Sequence, residues 1–274
     1  MKRRIALLST MLTLGLLSGC SNKLDLPLGI STTEEVYGFQ AITAVNLLSS
    51  PSSKVAYSPK KSANTEQFND ILYYYEFAEN FLNETSPIKF TKKSSDNENY
   101  QILYEIITTD LDGNKNEYFM YYNETLLKDD DFDEKEYSIK GEIIFNNESY
   151  MLFGEKESEY NEEEISLTVK INDNHFVTVE QEKENKEIEY QYTISKDRQT
   201  TSFSLEIEEK RSGTEIKFTK EINDHENEFI YKIIEDKSNY KKIKVVVKEN
   251  DRFILEQYII VTYDNDGNPL YTLE

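Results

Sequence analysis

From Pro87 to the C-terminus, apolar and polar residues alternate with a period of two. The clearest stretch is Ile165, Leu167, Val169 and Ile171, interleaved with Ser166, Thr168 and Lys170; Ile188, Tyr190, Tyr192 and Ile194 repeat the pattern, and so do Phe203, Leu205 and Ile207. Alternation of this kind marks a strand with one face buried and one wet. We count about 13 such strands, separated by short polar turns. Asn146-Asn147, Asn172-Asp173-Asn174, Glu184-Asn185, Ser212-Gly213, Asn250-Asp251 and Asp264–Asn268 are residues suited to hairpins. No helical period interrupts the run, so the sheet is expected to be antiparallel, with each strand beside its neighbour in sequence.

Before Pro87 the period is 3.6. A first helix is predicted after Ser31 or Thr32, with Glu34 and Glu35 three residues on in capping-box spacing. Val36, Phe39, Ala41, Ile42, Val45 and Leu48 give it an apolar face, and Pro51 stops it. A loop over 49–64 follows, with Lys54, Lys60 and Lys61 as a small basic island that reads as a solvated connector. A second helix is predicted from Asn64, with Gln67 as its capping partner. Phe68, Ile71, Leu72, Tyr75, Ala78 and Leu82 form its stripe, and Tyr73, Tyr74, Phe77 and Phe81 widen the apolar surface past one face.

These elements constrain one another. About 13 strands at about 4.8 Å make a sheet roughly 60 Å wide, and its apolar face needs a cover. Two helices, each about 25 Å long, do not cover it flat. The expected fold is therefore mainly β with two N-terminal helices: a large antiparallel meander curled around them as a half-barrel or barrel-like sheet. The last strands carry apolar residues on both faces (Ile230, Ile234, Ile254, Ile260), which places them near the helices or against a second layer.

The first 20 residues carry a separate signal. Lys2, Arg3 and Arg4 precede an apolar run, Ile5 to Leu17, that is too short to span a bilayer. The run ends in Leu17-Ser18-Gly19-Cys20, which resembles the lipobox of bacterial lipoproteins. The resemblance implies a signal peptide over 1–19 and a lipid on Cys20 that holds the chain at the outer face of the cell membrane; Pro27 and Gly29 then mark 20–30 as a lipidated tether, and the patterning above makes 31–274 one folded domain. Ten extended residues reach at most about 35 Å, so the tether keeps the domain near the bilayer. In architecture alone, a helix-filled curled sheet on an exported lipoprotein is similar to the half-barrel lipoprotein carriers and lipid-transfer lipoproteins. That similarity implies an apolar ligand beneath the sheet and assigns no residue.

Charge and chemistry narrow the functions. With 52 acidic residues against 31 Lys and Arg, the net charge is −21. Such a body repels nucleic acid and anionic lipid and favours cations or basic partners. Cys20 is the only cysteine, and lipidation consumes it, which leaves no disulfide, thiolate metal site or cysteine nucleophile. His175 and His225 sit beside turns and read as surface residues rather than members of a catalytic triad. Asp110–Asn114 and Asp264–Asn268 look like calcium loops, but glycine falls at the fourth position of each rather than the sixth, so hairpin turns explain them better. Asp129, Asp130, Asp131, Asp133 and Glu134 form an acidic run that reads as a solvated loop. No catalytic residue, metal ligand or cofactor is assigned.

The leading expectation is a non-enzymatic, membrane-anchored binding module for an apolar ligand or a protein partner. An apolar ligand would lie at the sheet–helix interface around Phe68, Ile71, Leu72 and Tyr75. The alternative is a structural or interaction lipoprotein with a filled core, and the third reading is a carboxylate hydrolase of cell-surface glycans.

Overall fold

The computed structural model describes residues 30–49, 71, 73–75, 77–78, 88–109, 114–130, 134–159, 162–184, 187–210, 213–222, 225–237, 240–263 and 269–274. The segment 1–19, Cys20, most of the tether, the lysines at 54, 60 and 61, and the loops 110–113, 131–133 and 264–268 lie outside these residues.

Helix α1 spans Thr33–Ser49 and begins at the predicted cap. Ser31 N and Oγ donate to Glu35 Oε2 at 2.6 and 2.9 Å, and Thr32 N donates to the same oxygen at 3.2 Å. Glu35 N donates back to Thr32 Oγ1 at 3.3 Å, which completes a reciprocal box around the free amides of the first turn. A second helical segment carries Ile71, Tyr73, Tyr74, Tyr75, Phe77 and Ala78.

The strands are β1 (Lys89–Ser94), β2 (Ile102–Thr109), β3 (Lys115–Asp130), β4 (Glu134–Phe145), β5 (Glu148–Glu159), β6 (Glu162–Asn172) and β7 (His175–Glu184). They continue as β8 (Glu187–Lys196), β9 (Gln199–Lys210), β10 (Gly213–Ile222), β11 (His225–Lys237), β12 (Tyr240–Glu249), β13 (Arg252–Tyr263) and β14 (Pro269–Leu273). All lie in one antiparallel sheet in the order β1 to β14, with no crossover. Asn146-Asn147, Asp197-Arg198 and Asn250-Asp251 close three of the hairpins with φ between 48° and 69° at both residues. Two left-handed residues in a row twist the chain in the sense that the paired strands already follow.

The helix contacts establish the curl. A Cβ placed on Gly38 would lie 2.8 Å from the ring of Phe90 in β1 and 3.0 Å from Ile106 in β2. One residue on, the Phe39 ring lies 5.0 Å from Tyr190 in β8. Gln40 Nε2 donates to the carbonyls of Ile165 in β6 and Val179 in β7, at 3.2 and 3.4 Å. On a flat sheet β1 and β8 would stand about 34 Å apart, whereas a helix with its side chains is about 10–12 Å across. Adjacent residues of α1 reach both strands only because the sheet wraps the helix. The second helical segment fills the other half: the Tyr74 ring lies 5.4 Å from Phe203 in β9, 4.8 Å from Phe218 in β10 and 5.2 Å from Phe229 in β11. Tyr75 reaches Tyr271 in β14 at 5.7 Å.

Enclosure changes the character of α1. The sequence marks one apolar face, but every residue from Val36 to Val45 is buried. Several of its polar groups find partners, although the buried Gln40 Oε1 and Asn46 Nδ2 have no hydrogen-bond partner among the described residues. Tyr192 Oη donates to Thr43 Oγ1 at 3.1 Å, which itself donates to the Gln40 carbonyl at 2.9 Å, and Tyr118 Oη donates to Asn46 Oδ1 at 2.8 Å. Burial pushes the Tyr118 and Tyr192 phenols well above their ordinary range, so both stay neutral donors.

The sheet is a single layer throughout its described residues. On the outer face of the last strands, Ile260 is buried and Ile230 half-buried, while Ile234 and Ile254 are exposed, with no second layer over them among the described residues. The two edges are β1 and β14. Lys89, Lys92 and Lys93 stud β1, which discourages pairing with another chain.

Candidate functional site

Two concavities of ligand size lie among the described residues of the sheet and the second helical segment. The first lies on the outer face of the sheet, across β4 to β7. Glu136, Glu157 and Glu164 stand directly opposite one another on β4, β5 and β6. Glu182, Glu189 and Glu206 do the same on β7, β8 and β9, and the two rows adjoin where Ile165 faces Gln181. Lysines close the series at both ends: Lys128 bonds Glu136 at 3.5 Å, and Lys217 pairs with Glu206. Like charges directly opposite on a sheet destabilise it. A groove of about 530 Å³ runs over β4 to β7 between the Glu136–Glu157–Glu164 row and a parallel row that includes Glu155, Ser166 and Glu180.

The second concavity lies on the inner face, where the second helical segment meets the ends of β8, β9 and β10. It measures about 600 Å³, within the usual range for small-molecule sites. Tyr73, Tyr74, Ile194 and Phe203 form its apolar part; Lys196, Asp197, Gln199, Thr201 and Lys220 line the rest. The strand register explains the grouping. Tyr192 faces Phe203, Ile194 faces Thr201 and Lys196 faces Gln199, so alternate positions step outward from the aromatic core to the hairpin at Asp197-Arg198 on the same face. Tyr192 and Phe203 are stacked at 4.9 Å, and Phe77 caps both edge-on. Toward the turn this aromatic layer ends, and the crevice begins.

A third cluster locks α1 to the sheet. Lys156 on β5 bonds Glu124 on β3 at 2.7 Å, with both side chains largely out of water. Its ammonium lies 4.0 Å from the Tyr137 ring centre and 5.9 Å from that of Tyr37. Thr33 Oγ1 donates to Glu163, and Tyr37 Oη points at Glu124 from 3.5 Å. Burial, then the nearby carboxylates Glu124 and Glu163, drives the Tyr37 phenol far up. These groups largely satisfy one another, and Tyr137 and Lys156 also form part of the lining of the groove over β4 to β7.

The residues named from sequence fall into place unevenly. Ile71 and Tyr75 are fully buried: the Ile71 carbonyl accepts from Tyr231 Oη at 2.7 Å, and Tyr75 packs on Tyr231 and Tyr271. Neither lines the crevice, which opens beside Tyr73 and Tyr74. Phe68, Leu72 and Cys20 lie outside the described residues. His175 is half-buried at the start of β7, and His225 is exposed at the start of β11, 3.0 Å from Asn250 Nδ2 and 3.5 Å from Glu249. Among the described residues no three His, Cys, Asp or Glu side chains gather closely enough to hold a metal ion. No helix among them is long and apolar enough to cross a membrane.

Comparison with known proteins finds no matching family model, no matching curated protein and no matching solved structure.

Proposed function

We propose that the chain is an extracytoplasmic lipoprotein, held at the outer face of the cell membrane through Cys20, that binds an apolar ligand in the crevice beside Tyr73, Tyr74, Ile194 and Phe203. The observation that carries the binding reading is an open space of about 600 Å³ at a helix–sheet junction, apolar where Tyr73, Tyr74, Ile194 and Phe203 line it and polar toward the Asp197-Arg198 hairpin. Among the described residues, Tyr118, Tyr122, Tyr150, Tyr192 and Tyr231 are fully buried on the rest of the concave face. The anchoring reading is supported by Leu17-Ser18-Gly19-Cys20 following a short apolar run behind three basic residues. A lipid gains about 0.8 kcal/mol per buried CH₂, so two or three acyl chains on one cysteine fix a protein to a bilayer.

Two measurements test this. Membrane fractionation of cells expressing the full chain or its Cys20→Ser variant tests the anchor: the wild type stays with the membrane after a high-salt wash, and the variant is released. Equal retention of both would overturn the anchoring reading. Native mass spectrometry of the intact chain from a lipid-containing host tests the ligand. A reproducible adduct that is lost on organic extraction and weakened by Phe203→Ala supports the crevice. A bare mass after incubation with host lipid extract would instead favour the interaction module with a filled core.

A further inference from the structure

The chain enters the fold at one end of the sheet, and the crevice opens at the other. Ile30, the first described residue after the tether, is 3% exposed, and the amides of Ser31 and Thr32 are held by Glu35. Thr33 Oγ1 donates to Glu163 near the start of β6, which pins the entry point to that end of the sheet. From there α1 runs toward the crevice: Thr43, ten residues on, accepts from Tyr192, two residues before Ile194 in the crevice wall. The crevice mouth, at the Asp197-Arg198 hairpin, abuts the far end of β6. Asp197 N donates to the Asn174 carbonyl in the β6–β7 turn at 3.1 Å, and Lys196 stands opposite His175. Glu163 and Asn172 are nine residues apart on one strand, so entry point and mouth are separated by about 30 Å.

We propose, resting on the anchoring and binding readings above, that the crevice faces away from the bilayer that holds the chain. It then exchanges its apolar ligand with a carrier or surface on the extracytoplasmic side, and not with the lipid directly beneath it. The length of the tether decides this. From Cys20 to Ile30 it reaches at most about 35 Å. With the entry end toward the membrane, every extension of the tether up to that limit is permitted. Bringing the mouth to the same membrane takes the tether back along the whole length of β6. That leaves it close to fully extended and forfeits most of the backbone conformations open to it, a cost that every straightened residue adds to. In the outward orientation an apolar ligand leaving the bilayer beneath would have to cross water to reach the mouth, which removes the burial that holds it in the lipid.

The test places a dye at each end of the sheet. Cys20 is the only cysteine, so once it is capped by its lipid a newly introduced cysteine is the only thiol to label. Asn174→Cys, beside the mouth, and Glu182→Cys, toward the entry end of β7, are both exposed and lie eight residues, about 27 Å, apart along the strand direction. Each lipidated full chain is labelled with a donor dye and reconstituted into phosphatidylcholine vesicles whose headgroups carry rhodamine as acceptor. Energy transfer is expected to be several-fold stronger from position 182 than from position 174. A Gly/Ser insertion after Ser21 that doubles the tether lifts the restriction and should bring the two signals together. Thr200→Cys and Glu189→Cys, exposed at corresponding places on β9 and β8, repeat the comparison if either variant fails to fold. Equal transfer at the native tether length, or stronger transfer from position 174, overturns the outward orientation while the anchoring and crevice readings stand; so does a difference that the longer tether leaves unchanged. A chain that does not stay on the vesicles removes the anchoring reading and this inference with it. The mass measurement above decides the crevice reading separately, because the dyes report orientation whether or not a ligand is bound.

Discussion

Phe218 is the sharpest test of the packing. It lies on β10 with no exposed surface, stacked on Tyr74 at 4.8 Å and edge-on to Phe77 and Tyr231, each at 5.8 Å. Phe203 flanks it at 5.9 Å. Phe218→Ala removes the ring from all four neighbours at once. Truncating a buried phenylalanine costs about 3–5 kcal/mol, depending on how far the surroundings collapse. Collapse is restricted here, because ladders to β9 and β11 fix β10 on both sides. Each aromatic pair adds about 0.5–1.5 kcal/mol beyond area burial, so the expected loss lies in the upper half of that range, about 4 kcal/mol. Urea unfolding followed by far-UV circular dichroism measures it. With a slope of about 2–3 kcal/mol/M, the midpoint should fall by about 1.3–2 M at an unchanged slope. Phe253→Ala is the matched control: the same side chain, 64% exposed on β13, should cost under about 0.5 kcal/mol. Equal shifts for the two variants would refute the arrangement of the second helical segment against β9, β10 and β11.

Three further outcomes are expected. A Cβ on Gly141 in β4 would run into the backbone carbonyl of Tyr121, whereas one on Gly38 meets only the ends of the Phe90 and Ile106 side chains; thermal melts should therefore show Gly141→Ala losing more stability than Gly38→Ala. Lys156→Met leaves the half-buried Glu124 with only the Tyr37 hydroxyl and should cost about 1–3 kcal/mol by chemical denaturation, while Lys156→Met/Glu124→Leu should recover much of that loss; no recovery would show that the pair is not coupled. The folded-state pKa values of Tyr104 and Tyr150 are raised to about 12, chiefly by burial, from an ordinary value of 10.0, so their contribution to stability is intact below pH 10 and is lost as the pH rises toward 12. Absorbance at 295 nm and circular dichroism followed together should therefore show much of the tyrosinate appearing in step with unfolding; smooth ionisation of every tyrosine near pH 10 with the fold intact would contradict this.

The sheet was legible because every physical cue in its strands agrees. Ile165, Leu167 and Val169 alternate with polar residues and are buried, and Asn146-Asn147 and Asn250-Asp251 form turns as their types demand. The hairpin at Asp197-Arg198 was missed, because arginine does not announce a left-handed residue, although here its φ is 69°. The enclosure of α1 was only half visible. Gln40 and Thr43 look like a solvent face until the carbonyls of β6 and β7 and the Tyr192 hydroxyl arrive from distant sequence. The stripe Phe68, Ile71, Leu72 and Tyr75 marked a helix–sheet interface, and of these Ile71 and Tyr75 are filled core, but it did not mark the open crevice. The crevice opens beside Tyr73 and Tyr74 because its position depends on where the curled sheet stops matching the helix, and periodicity does not encode that.

The strictly sequential strand order separates two timescales of assembly. Every ladder joins strands adjacent in the chain, so the sheet grows by successive hairpin additions, each closing a short loop at low entropic cost. The contacts of α1 are of another kind: Gln40 bonds residues 125 and 139 positions away, and Tyr192 reaches back 149 positions to Thr43. The helix is made first and meets β1, β2 and β3 early, but its partners in β6, β7 and β8 are made much later. Until β8 is in place, part of the apolar surface of helix and sheet is uncovered and the sheet has a travelling unpaired edge, the two surfaces on which one unfinished chain sticks to another. The interval between the synthesis of α1 and its enclosure is the period in which this fold is most exposed to aggregation.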